Sequence, residues 1–257
     1  MTQSAADGLP TQAATPTRRP EQPWKLIAWA LVWLLAAVLG SLVGGMLTGL
    51  AMTFSGAGGG RAPIDDRSFL MGSTASLQLV LLWASWRRAR IVGGGSRCAG
   101  LGWIAVRRRW LVVVLAVALV LNVVGLLVLL RYVGAELRGS TGVLLHRFTE
   151  MNASTQAALV FLLVCGAPVT EELFFRGWLW TSLRRYWGPV PVMVCTSLLW
   201  LCAHLLDGPA RPIFLIPGAI ALSLARHYCG SVRASIVLHV FNNLLAVSLF
   251  ALAMQAQ

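Results

Sequence analysis

The chain has 257 residues, of which 57% are hydrophobic and only 12% charged. A soluble domain carries about twice that charged share, so a water-soluble globular domain is excluded and lipid is the expected solvent. The net charge of +12 raises nucleic acid as a partner. The basic residues instead cluster between apolar segments, a topological pattern, and no nucleic-acid partner is expected. Lys25 is the only lysine, and Ala, Leu and Gly are abundant. That bias points to a high-GC bacterial genome, and so to the bacterial plasma (inner) membrane.

Residues 1–23 are rich in Pro, Thr, Gln and Ala and lack an apolar run. They are expected to form a disordered cytoplasmic tail and not a cleaved signal peptide. Crossing a bilayer takes about 20 apolar residues. The expected fold is all-α, a polytopic membrane helix bundle of about seven spans: Leu26–Phe54, Ser68–Trp86, Trp110–Leu130, Ala157–Leu183, Val190–Leu206, Ile213–Ala225 and Ala234–Met254. The fourth is too long for one straight crossing, and Pro168 and Gly177 are where it is expected to bend or break. The sixth is short and holds Pro217 and Gly218. No internal repeat is evident. The five cysteines, Cys98, Cys165, Cys195, Cys202 and Cys229, include no CxxC pair, so neither a disulfide framework nor a zinc knuckle is expected. The organisation expected is the tail, N-terminal transmembrane helices over 24–155, and a catalytic transmembrane core over 156–257.

Counting Lys and Arg in the connections orients the bundle. With the N-terminus inside, Arg18, Arg19, Lys25, Arg87, Arg88, Arg90, Arg97, Arg107, Arg108, Arg109, Arg184, Arg185, Arg226 and Arg233 are inside. Arg61, Arg67, Arg131, Arg138, Arg147 and Arg211 are outside, a split of 14 to 6. The arginine-rich stretch 87–109 is expected to be a cytoplasmic loop facing phospholipid.

A charge within a span costs at least about 2.5–3.5 kcal/mol on insertion scales. Of nine acidic residues, only Glu171 and Glu172 lie inside an apolar run. Arg176 follows Glu172 by one helical turn and neutralises it. Glu171 points about 100° away and has no such partner, and a carboxylate in apolar surroundings suits proton transfer. Two further spans carry isolated polar side chains: His204 in one, and His239 and Asn243 on one helix face in the other. Three helices thus bring polar groups to the last hundred residues, as a buried site requires. Lone intramembrane residues of this kind also serve as helix–helix hydrogen bonds, the role expected of Gln78 and Asn122.

These residues resemble the CPBP group of membrane proteases, which includes the CAAX prenyl endopeptidases and the bacteriocin-processing or immunity (Abi-like) proteins. That family's EExxxR motif is matched by Glu171-Glu172-Leu173-Phe174-Phe175-Arg176, with Ala167-Pro168 before it and Gly177 after. Its FxxxH motif is matched from Trp200 to His204, with Trp in place of Phe. The aromatic is kept, so the chemistry is expected to be unaffected. Its HxxxN motif is matched from His239 to Asn243, preceded by Gly230-Ser231 and Ile236. The resemblance covers about residues 156–250, and the first three spans resemble nothing specific.

The resemblance implies an intramembrane endopeptidase acting on a membrane-anchored peptide or protein. Glu171 and His204 then polarise a water, Glu172 and Arg176 hold geometry and charge, and His239 and Asn243 donate to the oxyanion. A metal-free site is preferred. The rival is zinc held by Glu171, His204 and His239, a common ligand set, although no HExxH is present. The alternatives to a protease are a non-catalytic immunity or scaffold protein of the same fold, and a proton-coupled transporter.

At about 1.5 Å per residue, Glu171 and His204 each lie roughly 20 Å from the arginine-bearing boundary, whereas His239 lies only roughly 9 Å from it. A break at Gly177, with the stretch up to Trp187 lying along the interface, is one way to reconcile these depths. The basic rim and the need for water predict a cavity that opens to the cytoplasm.

Overall fold

The structure, a computed structural model, describes residues 22–54, 66–132, 148, 151–209 and 211–255. The expected disordered tail lies outside the described residues up to position 21, and Pro23 already begins a helix. The described elements are all helical. They are α1 (Pro23–Phe54), α2 (Asp66–Val92), the short α3 (Arg97–Leu101), α4 (Leu111–Tyr132), α5 (Ala153–Leu183), α6 (Pro189–Ala203), α7 (Arg211–Cys229) and α8 (Val232–Gln255). Among the described residues, six helices are long and apolar enough to cross a membrane, and α8 adds a shorter apolar stretch, Val232–Ser248. This is a polytopic helix bundle.

Lipid wetting and close packing divide the surfaces of α1. Leu31, Leu35, Leu39, Leu42 and Leu47 stand exposed, as lipid-facing side chains do. The seam with α2 is built from small residues. A Cβ on Gly44 would strike Ser76, and one on Gly72 would strike Thr48 and the Gly44 carbonyl. Without a hydrophobic force between helices in lipid, such close backbone approach supplies the packing.

The long fourth span is one continuous helix, α5, which neither breaks at Pro168 nor at Gly177. Two π-helical stretches, Leu162–Gly166 and Leu173–Leu179, absorb the irregularity. Pro168 has no N–H to donate. In π register its partner would have been the Leu163 carbonyl, five residues back. That carbonyl instead accepts from Asn243 Nδ2 at 2.8 Å. The neighbouring Leu162 carbonyl takes a further hydrogen bond from Gln78 Nε2 at 2.9 Å. Gln78 therefore has the helix-joining role expected of it, while the Asn122 side chain lies outside the described residues. Gly177 is not a break point: a Cβ there would press on the Leu101 carbonyl at 3.3 Å, so glycine lets α3 close on α5. Trp178, Leu179 and Leu183 are fully buried in the bundle, and the stretch up to Leu183 continues α5 instead of breaking from it.

The arginine-bearing segments meet at one end of the bundle. Val232 N donates to the Gly102 carbonyl at 3.1 Å, and Arg107 N to the Cys229 carbonyl at 2.9 Å. Ser231 Oγ donates to the Ile104 carbonyl at 2.7 Å. Buried Arg226 donates through Nε to the Arg176 carbonyl and through Nη1 to the Gly230 carbonyl, both at 2.8 Å. Arg185 reaches the Val92 carbonyl. The stretch 93–109 is thus a plate hydrogen-bonded across the helix ends, more ordered than the lipid-facing loop expected. Gly102 ends α3 at φ 60°, a left-handed conformation that favours glycine.

Candidate active site

The acidic pair sits on α5 between the two π stretches, and its members face different ways. Glu172 is fully buried and Glu171 partly so, with 0% and 15% of their side chains exposed. Glu172 Oε1 accepts from Arg176 Nη1 at 3.1 Å, one turn on, with both side chains inaccessible. The same oxygen accepts from His239 Nδ1, also at 3.1 Å. The Arg176 guanidinium stacks over the Trp200 ring at 5.1 Å.

Glu171 faces a cavity of about 380 Å³, whose lining also includes Trp200, His204, His239, Asn242 and Asn243. Three helices, α5, α6 with its following turn, and α8, thereby bring Glu171, His204, His239 and Asn243 to one space. α7 supplies much of the apolar wall through Phe214, Leu215 and Leu222. Pro217 and Gly218, which made this span look weak, lie within unbroken helix and line the same cavity.

The sequence reading sets Glu171 and His204 on one water, and both line the cavity. His204 packs against the Trp200 ring, 4.5 Å between centroids. Its Nδ1 donates to the Trp200 carbonyl at 2.9 Å, which leaves Nε2 of the neutral ring as an acceptor. His239 is the histidine set between the glutamates. Nδ1 is held by Glu172, and Nε2 lies 4.0 Å from Glu171 Oε2. Asn243 lines the cavity but commits one amide hydrogen to the Leu163 carbonyl, leaving the second free to donate.

Trp200 was noted only as the aromatic of a motif. Its indole Nε1–H donates to Glu171 Oε2 at 2.6 Å. Phe in that place has no donor, so the substitution adds a hydrogen bond to Glu171. The signal was available in the sequence: an indole is the one large apolar ring that carries an N–H, and Trp200 shares a span with His204.

Among the described residues, no three His, Cys, Asp or Glu are placed to hold a metal ion. Nδ1 of each histidine faces another protein atom and Glu171 Oε2 meets the indole, which leaves Nε2 of each ring and Glu171 Oε1 as the remaining polar atoms of this set.

The cavity also departs from the expectation of an opening at the arginine-bearing end. Below Glu171 on that side, Phe174, Phe175, Trp178 and Leu179 fill the bundle and are almost wholly inaccessible. The lining residues run the other way, toward His204 and Arg211.

Residues 153–245 match the family described as Rce1-like, Type II CAAX prenyl endopeptidase Rce1-like. No curated protein and no solved structure matches the chain.

Proposed function

We propose, from the match of residues 153–245 to the Rce1-like type II CAAX prenyl endopeptidases, a hydrolase family, that the chain is an intramembrane protease cleaving a peptide bond of a membrane-anchored peptide or protein precursor in the bacterial plasma membrane, with residues 156–257 as the catalytic core. The observation that carries this is the convergence of Glu171, His204, His239 and Asn243 on one cavity. A water between Glu171 and His204 Nε2 attacks the scissile carbonyl carbon, and its proton passes to Glu171. His239, charged, donates from Nε2 to the oxyanion, while the Glu172 carboxylate on Nδ1 steadies that charge. Asn243 donates its second amide hydrogen to the same oxygen. On collapse the C–N bond breaks and Glu171 returns the proton to the leaving nitrogen, giving a carboxylic acid and an amine. No step here runs through a metal.

The test is a comparison of membrane proteomes from cells carrying wild type and Glu171→Ala. Cleavage products present with wild type and lost in the variant are expected. Identical product sets, with partner binding retained, would support the non-catalytic scaffold instead.

Trp200 acts in this scheme as a positioning residue, occupying Glu171 Oε2 so that Oε1 is left for the water. Trp200→Phe keeps a ring against His204 and removes only the donor. A hydrogen bond to a charged group is worth about 1.5–3 kcal/mol, so kcat should fall about 10–100-fold with KM unchanged. A purely packing role predicts an unchanged kcat in that variant, and steady-state kinetics in proteoliposomes separates the two.

A further inference from the structure

The two ends of the bundle differ in charge and in access. One end gathers residues 92–109, 181–185 and 226–233, tied together by the hydrogen bonds of Gly102, Arg107, Arg226 and Ser231. Arg97, Arg107, Arg108, Arg109, Arg184, Arg185, Arg226 and Arg233 all belong to it. The positive-inside rule assigns such an end to the cytoplasm. On that side the layer from Phe174 to Leu183 closes the space beneath the acidic pair.

In every helix that contributes, the cavity lining stops short of the arginine-bearing end. In α5 it is Leu163, Ala167 and Glu171, all before the buried layer. In α6 and its following turn it is Trp200 and His204, at the end remote from Pro189. In α7 it runs from Arg211 to Leu222, the first part of the helix, and in α8 from His239 to Ala246, well after Val232. In α4 it starts only at Leu121, ten residues after Leu111, and includes Gly125. Five helices of alternating direction agree on one end. Exposed Arg211 stands at that end and lines the cavity.

We propose that the catalytic cavity is entered from the extracytoplasmic side, so that the substrate is an extracytoplasmic juxtamembrane segment of a membrane-anchored polypeptide. This rests on the protease reading for the word substrate, but the direction of access does not depend on turnover. Water and peptide reach Glu171 past His204 and Arg211, while the arginine plate at the other end seals the bundle and fixes its orientation.

The test is labelling with a membrane-impermeant thiol reagent in a background with all five native cysteines replaced. Phe214→Cys reports the cavity, Leu206→Cys the exposed turn beside it, and Arg97→Cys the plate. In right-side-out vesicles Phe214→Cys and Leu206→Cys should label without permeabilisation, and Arg97→Cys only after it. In inside-out vesicles the pattern should reverse. If Phe214→Cys misfolds, Leu206→Cys carries the same comparison. Labelling of the cavity and turn positions only from the cytoplasmic face, no difference between the two vesicle orientations, or labelling of Arg97→Cys in intact right-side-out vesicles overturns the proposal. A cavity that labels from outside in a protein that cleaves nothing would sink the protease reading and leave the access direction standing.

Discussion

Glu172→Ala should lose most of the stability of the C-terminal half of the bundle. The substitution leaves the Arg176 guanidinium buried at 0% exposure without its carboxylate. Removing one partner of a buried ion pair typically costs about 3–5 kcal/mol, because the remaining charge is stranded. The pair here is held through one oxygen that His239 also uses, so the histidine loses its anchor in the same stroke. Thermal unfolding in detergent should show a Tm well below wild type. The double change Glu172→Leu with Arg176→Leu removes both charges and should recover much of the Tm, since apolar replacement of a buried pair is often neutral or better. Activity should not return with it, because nothing then holds His239 Nδ1. A Tm unchanged in the single variant would mean that Glu172 does not lock α5 against α8 through His239.

Glu171→Gln should behave in the opposite way, stable but inactive. The amide is isosteric, and its carbonyl can still accept from the Trp200 indole, so the contact at 2.6 Å survives. What is lost is the group that takes a proton from water and returns it to the leaving amine. General acid–base groups contribute about 10²–10⁴ in rate, and kcat should fall by that factor with Tm unchanged. Single-turnover cleavage in proteoliposomes is the measurement. A variant retaining a substantial part of the wild-type kcat would remove Glu171 from the proton-transfer role.

The two carboxylates, adjacent in sequence, thus differ in setting, one inaccessible against Arg176 and the other on the cavity, and that difference was legible beforehand. Helical geometry alone turns neighbouring residues about 100° apart, and the i, i+4 arginine marked which of the two was neutralised. The spans were legible for the same kind of reason: apolar length is a property of composition. The placement of the histidines was not. His204 and His239 each lie in an apolar helix with the same chemical potential to meet Glu171, and only packing decides that Nδ1 of His204 finds the Trp200 carbonyl while His239 slots between the glutamates. The tryptophan was misjudged because it was valued as a ring, when its N–H is what reaches the carboxylate. Gly177 was misjudged because glycine in a long span has two uses, bending and close approach, and the nearby Leu101 carbonyl selects the second. The end at which the cavity lining stops depends on packing, which no count of arginines carries.

The π stretches on either side of the acidic pair, Leu162–Gly166 and Leu173–Leu179, give α5 a property that a uniform helix lacks. Each wide turn holds one residue more than an α-turn, so each sets back the rotational phase of everything beyond it by about 100°. The hexad from Ala167 to Glu172 is therefore aimed independently of the helix that enters and the helix that leaves. Removing a single residue from the second stretch would tighten it to α geometry and swing Arg176 and the whole arginine-bearing end around the axis while Glu171 stayed on the cavity. Chain length in these two short windows, as much as side-chain identity, is what keeps carboxylate, guanidinium and imidazole in phase.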